Sequence, residues 1–149
     1  MNRFCIRMAG FSLLELLVVM AVVAILAAIA VPVYRQHVVK TRQAEARALL
    51  LENAHFLERW YGEKGSFKAS SNAWPALPAS RVPPAPETPL YQIGFTASAI
   101  NVDEGEYTLE AMPVSGQDWL GGISIQLDQD GNIRYCEPNA SGGRSCRLP

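Results

Sequence analysis

Met8-Ala9-Gly10-Phe11-Ser12-Leu13-Leu14-Glu15-Leu16 is the stretch whose reading decides the fold. Upstream lies a short basic head carrying Arg3 and Arg7, and downstream the run from Leu16 to Tyr34 holds no charged residue. As a helix, residues 11–34 would extend roughly 36 Å at a rise of about 1.5 Å per residue, enough to cross a bilayer. Three readings of this arrangement compete. One is a secretory signal cut after Ala28-Ile29-Ala30, an A-x-A site. Another is a plain membrane anchor. The third is a leader that ends before the apolar run, leaving that run in the product.

Glu15 separates them. A carboxylate inside an apolar helix costs on the order of 2.5–3.5 kcal/mol near the membrane centre and less near its edge. Neither a signal core nor an anchor needs that cost. A product starting at Phe11 can use it, because the new α-amino cation stands four residues away, on the same or a neighbouring chain. The plainer role is a carboxylate near a helix start, favoured by the helix dipole.

The order Gly10-Phe11-Ser12-Leu13-Leu14-Glu15-Leu16, after a basic leader and before an apolar run, resembles the class III signal of type IV prepilins. That resemblance implies cleavage between Gly10 and Phe11 by a membrane-embedded prepilin peptidase and N-methylation of Phe11. It also implies an assembly role for Glu15 and a helix kink at Pro32. Ala24 stands where many pilins place a glycine that loosens the helix in the filament. The segments Ala54–Tyr61, Gly65–Lys68 and Trp74–Pro78 are similar to those of small minor pilins tied to aggregation or DNA uptake in neisserial and related bacteria.

Beyond Pro32 the helix resumes. Ala46, Leu50, Ala54, Leu57 and Tyr61 recur every three or four residues as an apolar stripe, with Gly62 and Gly65 bracketing the end. The prolines at 75, 78, 83, 84, 86 and 89 make residues 63–89 a connecting loop, anchored by Phe67, Trp74 and Leu77. After residue 89, Leu90–Ser98, Tyr107–Val114, Ile123–Asp128 and Asn132–Cys136 read as short antiparallel strands. Asp130-Gly131 is the hairpin turn between the last two. The expected architecture is thus α+β, a pilin fold: one long N-terminal helix packed on an antiparallel sheet of about four strands. Its segments are a leader (1–10), an apolar helix half (11–34), an amphipathic half (35–62), the loop (63–89) and the sheet with a C-terminal disulfide loop (90–149).

Charge is divided unevenly. Residues 1–49 hold six basic and two acidic side chains, net +4, and residues 50–149 hold seven basic and twelve acidic, net −5. An acidic head is a poor general partner for nucleic acid. A local basic patch of Arg134, Arg144 and Arg147 is the candidate contact for DNA or another anion, with ordinary solvated charge as the preferred reading. Of the three cysteines, Cys5 lies in the leader. Its removal leaves Cys136 and Cys146 to pair in an oxidising compartment.

No catalytic motif, cofactor motif or metal-ligand spacing appears. His37 and His55 lack partner ligands at a suitable spacing. Asp128-Gln129-Asp130-Gly131-Asn132 lacks the glycine placement and bidentate glutamate of an EF-hand loop, so a hairpin is preferred over calcium. The expectation is therefore a non-enzymatic structural subunit without cofactor or metal. Before assembly it would sit in the inner membrane as a single-pass protein with its head in the periplasm. Afterwards it would lie in an extracellular pilus, supporting biogenesis, adhesion, aggregation or motility. Its partners would be other pilin subunits, the prepilin peptidase and the pilus assembly platform. A DNA-binding competence pilin and a type II secretion pseudopilin are the alternatives.

Overall fold

In the computed structural model, Ala46, Leu50, Ala54 and Leu57 are buried along one stripe of a helix, as their spacing requires. The structure describes residues 12–70, 73–96, 105–116, 120–140 and 143–148. Helix α1 runs over Leu13–Lys64. The chain divides into two compact units, Met1–His37 and Val38–Pro149.

In the first unit α1 begins at Ser12, whose Oγ accepts from the amides of Leu14 (3.2 Å) and Glu15 (3.5 Å). Such an N-cap satisfies helix-start donors that would otherwise be unpaired. Every described side chain from Ser12 to His37 is exposed. The sequence reading placed a bend at Pro32; the structure assigns continuous helix through it.

In the second unit the stripe covers one face of an antiparallel sheet. Its strands are β1 (Arg81–Val82), β2 (Tyr91–Phe95), β3 (Thr108–Pro113), β4 (Ser124–Asp128), β5 (Ile133–Pro138) and β6 (Arg144–Arg147). They lie side by side in sequence order. Tyr91, Ile93, Leu109, Ala111, Ile125, Leu127 and Ile133 form one core with the helix stripe. Each fully buried Leu or Ile contributes about 1.5–3 kcal/mol.

Among the described residues the sheet has six strands, two beyond the expected core of about four. β1 has only two residues in a proline-rich loop, too few for a periodicity signal. β6 contributes no buried side chain, so hydrophobic alternation could not reveal it. Cys136 and Cys146 sit directly opposite each other on β5 and β6 and are disulfide-bonded. Closing a loop of that length is worth about 2–3 kcal/mol in the chain-entropy view.

The helix ends where the glycines indicated. Gly65 has φ of 72° and its amide donates to Tyr61 O at 2.7 Å, a left-handed C-terminal cap. Gly131 turns the β4–β5 hairpin at φ 80°. Asn53 is buried although hydrophobic periodicity gives no sign of it. Its Nδ2 donates to Ala79 O (2.7 Å) and its Oδ1 accepts from Ala79 N (3.1 Å), pinning the connecting loop to α1.

Burial also pushes the phenols of Tyr91 and Tyr107 up, that of Tyr107 to about 12. Above pH ~10 tyrosines in the unfolded chain lose protons that the folded head retains. The stability from Tyr107 is therefore full below pH ~10 and is lost as pH rises toward 12, by about 1.4 kcal/mol per pH unit, and Tyr91 adds a loss of the same sign. Denaturant melts at pH ~9.5 and ~11.5 should record this loss. Tyr107→Phe should flatten the slope, and an unchanged slope in that variant would show that Tyr107 is not its source.

Candidate functional site

Two regions were nominated by the sequence, the start of the apolar helix and the C-terminal arginines. Gly10 and Phe11 lie outside the described residues. Glu15 occupies the first turn of α1, three residues after the Ser12 cap and exposed. Ser-x-x-Glu is the spacing of a capping box, in which the glutamate turns back toward the cap residue's amide. Position and charge thus place a carboxylate at the positive end of the helix dipole. Beyond it stand Leu16 to Val33, with Leu16, Leu17, Met20, Ile25, Leu26 and Ile29 exposed by more than half. The helix is long and apolar enough to cross a membrane. Chemically, this is a surface that requires apolar surroundings, with one acid at its edge.

The C-terminal arginines are not assembled into one patch. By strand alternation, Arg134 and Arg144 lie on the sheet face away from α1, whereas Arg147, opposite Tyr135, points to the other face. Each is held by a carboxylate. Arg134 Nη2 lies 3.0 Å from Asp128 Oδ2, and Arg147 Nη2 lies 2.6 Å from Glu137 Oε1. Arg144 Nη1 lies 2.6 Å from Glu110 Oε1. That same oxygen accepts from Ser124 Oγ (2.6 Å) and Gln126 Nε2 (3.3 Å), and Arg144 also donates to Ser124 Oγ. Glu110 and Ser124 are buried. Arg144 therefore neutralises a carboxylate that the fold has withdrawn from water, a role that charge counting could not show. Glu110 sits at an outward position of the β3 alternation, where sequence logic places a solvated residue.

Asp128 is committed to the hairpin as well as to Arg134, accepting from Asn132 N (2.9 Å) and Asn132 Nδ2 (3.2 Å). Among the described residues, no group of three or more His, Cys, Asp or Glu is arranged to hold a metal ion. His55 lies on the exposed helix face, its Nδ1 3.7 Å from Glu58 Oε2.

Residues 6–31 match the prokaryotic N-terminal methylation motif, and residues 32–120 match a family described as "Type IV minor pilin ComP, DNA uptake sequence receptor". The fimbrial protein EcpC of Eikenella corrodens is 38% identical over 64 residues, which are 43% of this chain and 42% of that protein. The type IV major pilin protein PilE1 of Neisseria gonorrhoeae is 34% identical over 73 residues, 49% of this chain and 34% of that protein. The chain thus spans less than half the length of these relatives. The fold matches the non-core minor pilin PilV of Neisseria meningitidis with a TM-score of 0.52 and 24% identity, over 72% of this chain and 95% of that one. An N-terminal methylation motif leading into a matched head of more than half the chain, on a helix-and-sheet framework shared with PilV, places this protein in the type IV minor pilin ComP family.

Proposed function

We propose that the chain is built into a type IV pilus as a minor subunit through the apolar half of α1. The observation that carries this reading is the uninterrupted run of exposed apolar side chains from Leu16 to Val33 behind a single carboxylate. Leaving that much hydrocarbon in water is untenable at about 25 cal/mol per Å². The bilayer satisfies it before assembly and the helices of neighbouring subunits afterwards. On this reading the leader 1–10 stays on the cytoplasmic side, the head faces the periplasm, and the prepilin peptidase cuts between Gly10 and Phe11. Phe11 is methylated. The assembly platform then passes the subunit from the inner membrane to the filament, where Glu15 meets an α-amino cation. Pro32 supplies a point of give in the helix, since it removes one backbone donor. The oxidised Cys136–Cys146 pair agrees with a periplasmic or extracellular head.

The N-terminus of the protein recovered from cells tests this directly. Mass spectrometry should find a chain beginning at methylated Phe11. A chain beginning at Val31 would identify a conventional signal cleaved after Ala30 and overturn the proposal.

A second reading has its own support in the family description, which names a DNA uptake sequence receptor. On this reading the head captures DNA for uptake while the helix serves assembly, so both activities coexist in one subunit. The pseudopilin alternative gains no comparable support.

A further inference from the structure

We propose that the surface meeting DNA is a cation–aromatic strip at the end of α1, rather than the C-terminal arginines. The inference rests on the DNA-capture reading above. Its first ground is the ion pairing of Arg134, Arg144 and Arg147, each of which has a carboxylate at 3.0 Å or less, a weak pair at the exposed Arg134 and Arg147 and a strong one at Arg144. A phosphate reaching Arg144 would strand buried Glu110, and at Arg134 and Arg147 it would compete with a carboxylate already in place.

The second ground is a repeated arrangement elsewhere. Arg59 Cζ lies 5.9 Å from the Phe56 ring centroid, Lys64 Nζ lies 5.9 Å from Trp60, and Lys68 Nζ lies 5.6 Å from Trp74. Phe56, Trp60 and Lys64 succeed one another at four-residue steps on one side of α1, with Arg59 one step before Trp60. The Phe56 and Trp60 rings are 6.1 Å apart, and Trp74 stacks on Phe95 at 4.3 Å. An aromatic face orients a cation while leaving its formal charge intact, so the cation can still neutralise a phosphate. Among the described residues, neither Arg59 nor Lys64 stands in an ion pair, and both are exposed. The partly exposed Phe56 and Trp60 add flat apolar surface of the kind that packs on sugar and base.

The strip is only modestly basic, since Glu58 and Glu63 flank its cations on α1. Glu58 faces His55, and Glu63 lies one turn beyond Arg59. This predicts a contact of few phosphates and gives Glu63 an opposite sign of effect. The test uses the full chain in detergent and a fluorescent DNA duplex of about thirty base pairs, titrated over a range of salt. Arg59→Ala/Lys64→Ala should weaken binding about tenfold or more and lower the slope of log affinity against log salt by about 2, one unit for each lost phosphate contact. Arg59→Lys/Lys64→Arg should restore both quantities. Glu63→Gln should tighten binding a few-fold, and Arg134→Ala/Arg147→Ala should stay within about twofold of the parent.

Parental affinity and slope in Arg59→Ala/Lys64→Ala, with the parent binding the duplex, would overturn the strip alone. Loss of binding in Arg134→Ala/Arg147→Ala would return the site to the C-terminal arginines. A parent that binds no duplex at low salt would overturn the DNA-capture reading itself, leaving filament assembly untouched.

Discussion

Glu15→Val is expected to leave the chain processed, membrane-bound and folded in its head, yet absent from the filament. The carboxylate stands at the edge of a helix whose following eighteen residues are uncharged and exposed. In the filament core such a charge is tolerable only when paired. Loss of the partner attraction, at about 2–3 kcal/mol, corresponds to a decrease on the order of a hundredfold in the incorporated fraction. Immunoblots of sheared pili against membrane fractions read the effect. The Ser-x-x-Glu spacing gives a second reason for Glu15, so Glu15→Gln is the decisive companion. Glutamine suits the capping-box position as glutamate does, but without charge. Incorporation restored by glutamine would reduce Glu15 to a helix-start residue, and normal incorporation of the valine variant would remove its role altogether.

The second large effect is expected at Arg144. Its alanine variant leaves Glu110, 9% exposed, with hydrogen bonds from Ser124 and Gln126 but no cation. Breaking a fully buried pair costs about 3–5 kcal/mol. Arg144 is itself 37% exposed, so solvent screening reduces the expected loss to about 2–3 kcal/mol. For a head of this size that is about 10–20 °C in unfolding temperature, measured by near-ultraviolet circular dichroism on the full chain in detergent. Arg147→Ala, which breaks a pair whose side chains are 71% and 44% exposed, should change stability by under about 1 kcal/mol. Glu110→Gln should recover part of the loss in the Arg144→Ala background. Equal losses at Arg144 and Arg147 would show that the Glu110 pair has no special place in the head.

The contrast between these arginines marks where sequence reasoning stopped. Both are cations near a disulfide, and composition treats them alike. Strand register sends Arg144 across the sheet toward a buried acid and Arg147 to the opposite face. Similarly, the helix stripe predicted Ala46, Leu50, Ala54 and Leu57, but not Asn53. Hydrophobic periodicity says nothing about a polar side chain buried to satisfy a backbone amide and carbonyl 26 residues away.

What the sequence determined by itself was local and periodic. The apolar run with a single acid at its edge, the helix stripe and the Asp130-Gly131 turn are each encoded within a few neighbouring residues. Their physics is short-ranged, set by helix period, turn geometry and the aversion of hydrocarbon for water. Tertiary structure alone decided the two added strands, the burial of Glu110 and the separation of the C-terminal arginines. Those outcomes depend on which strand lies beside which, and a carboxylate becomes costly only when another strand brings cover over it.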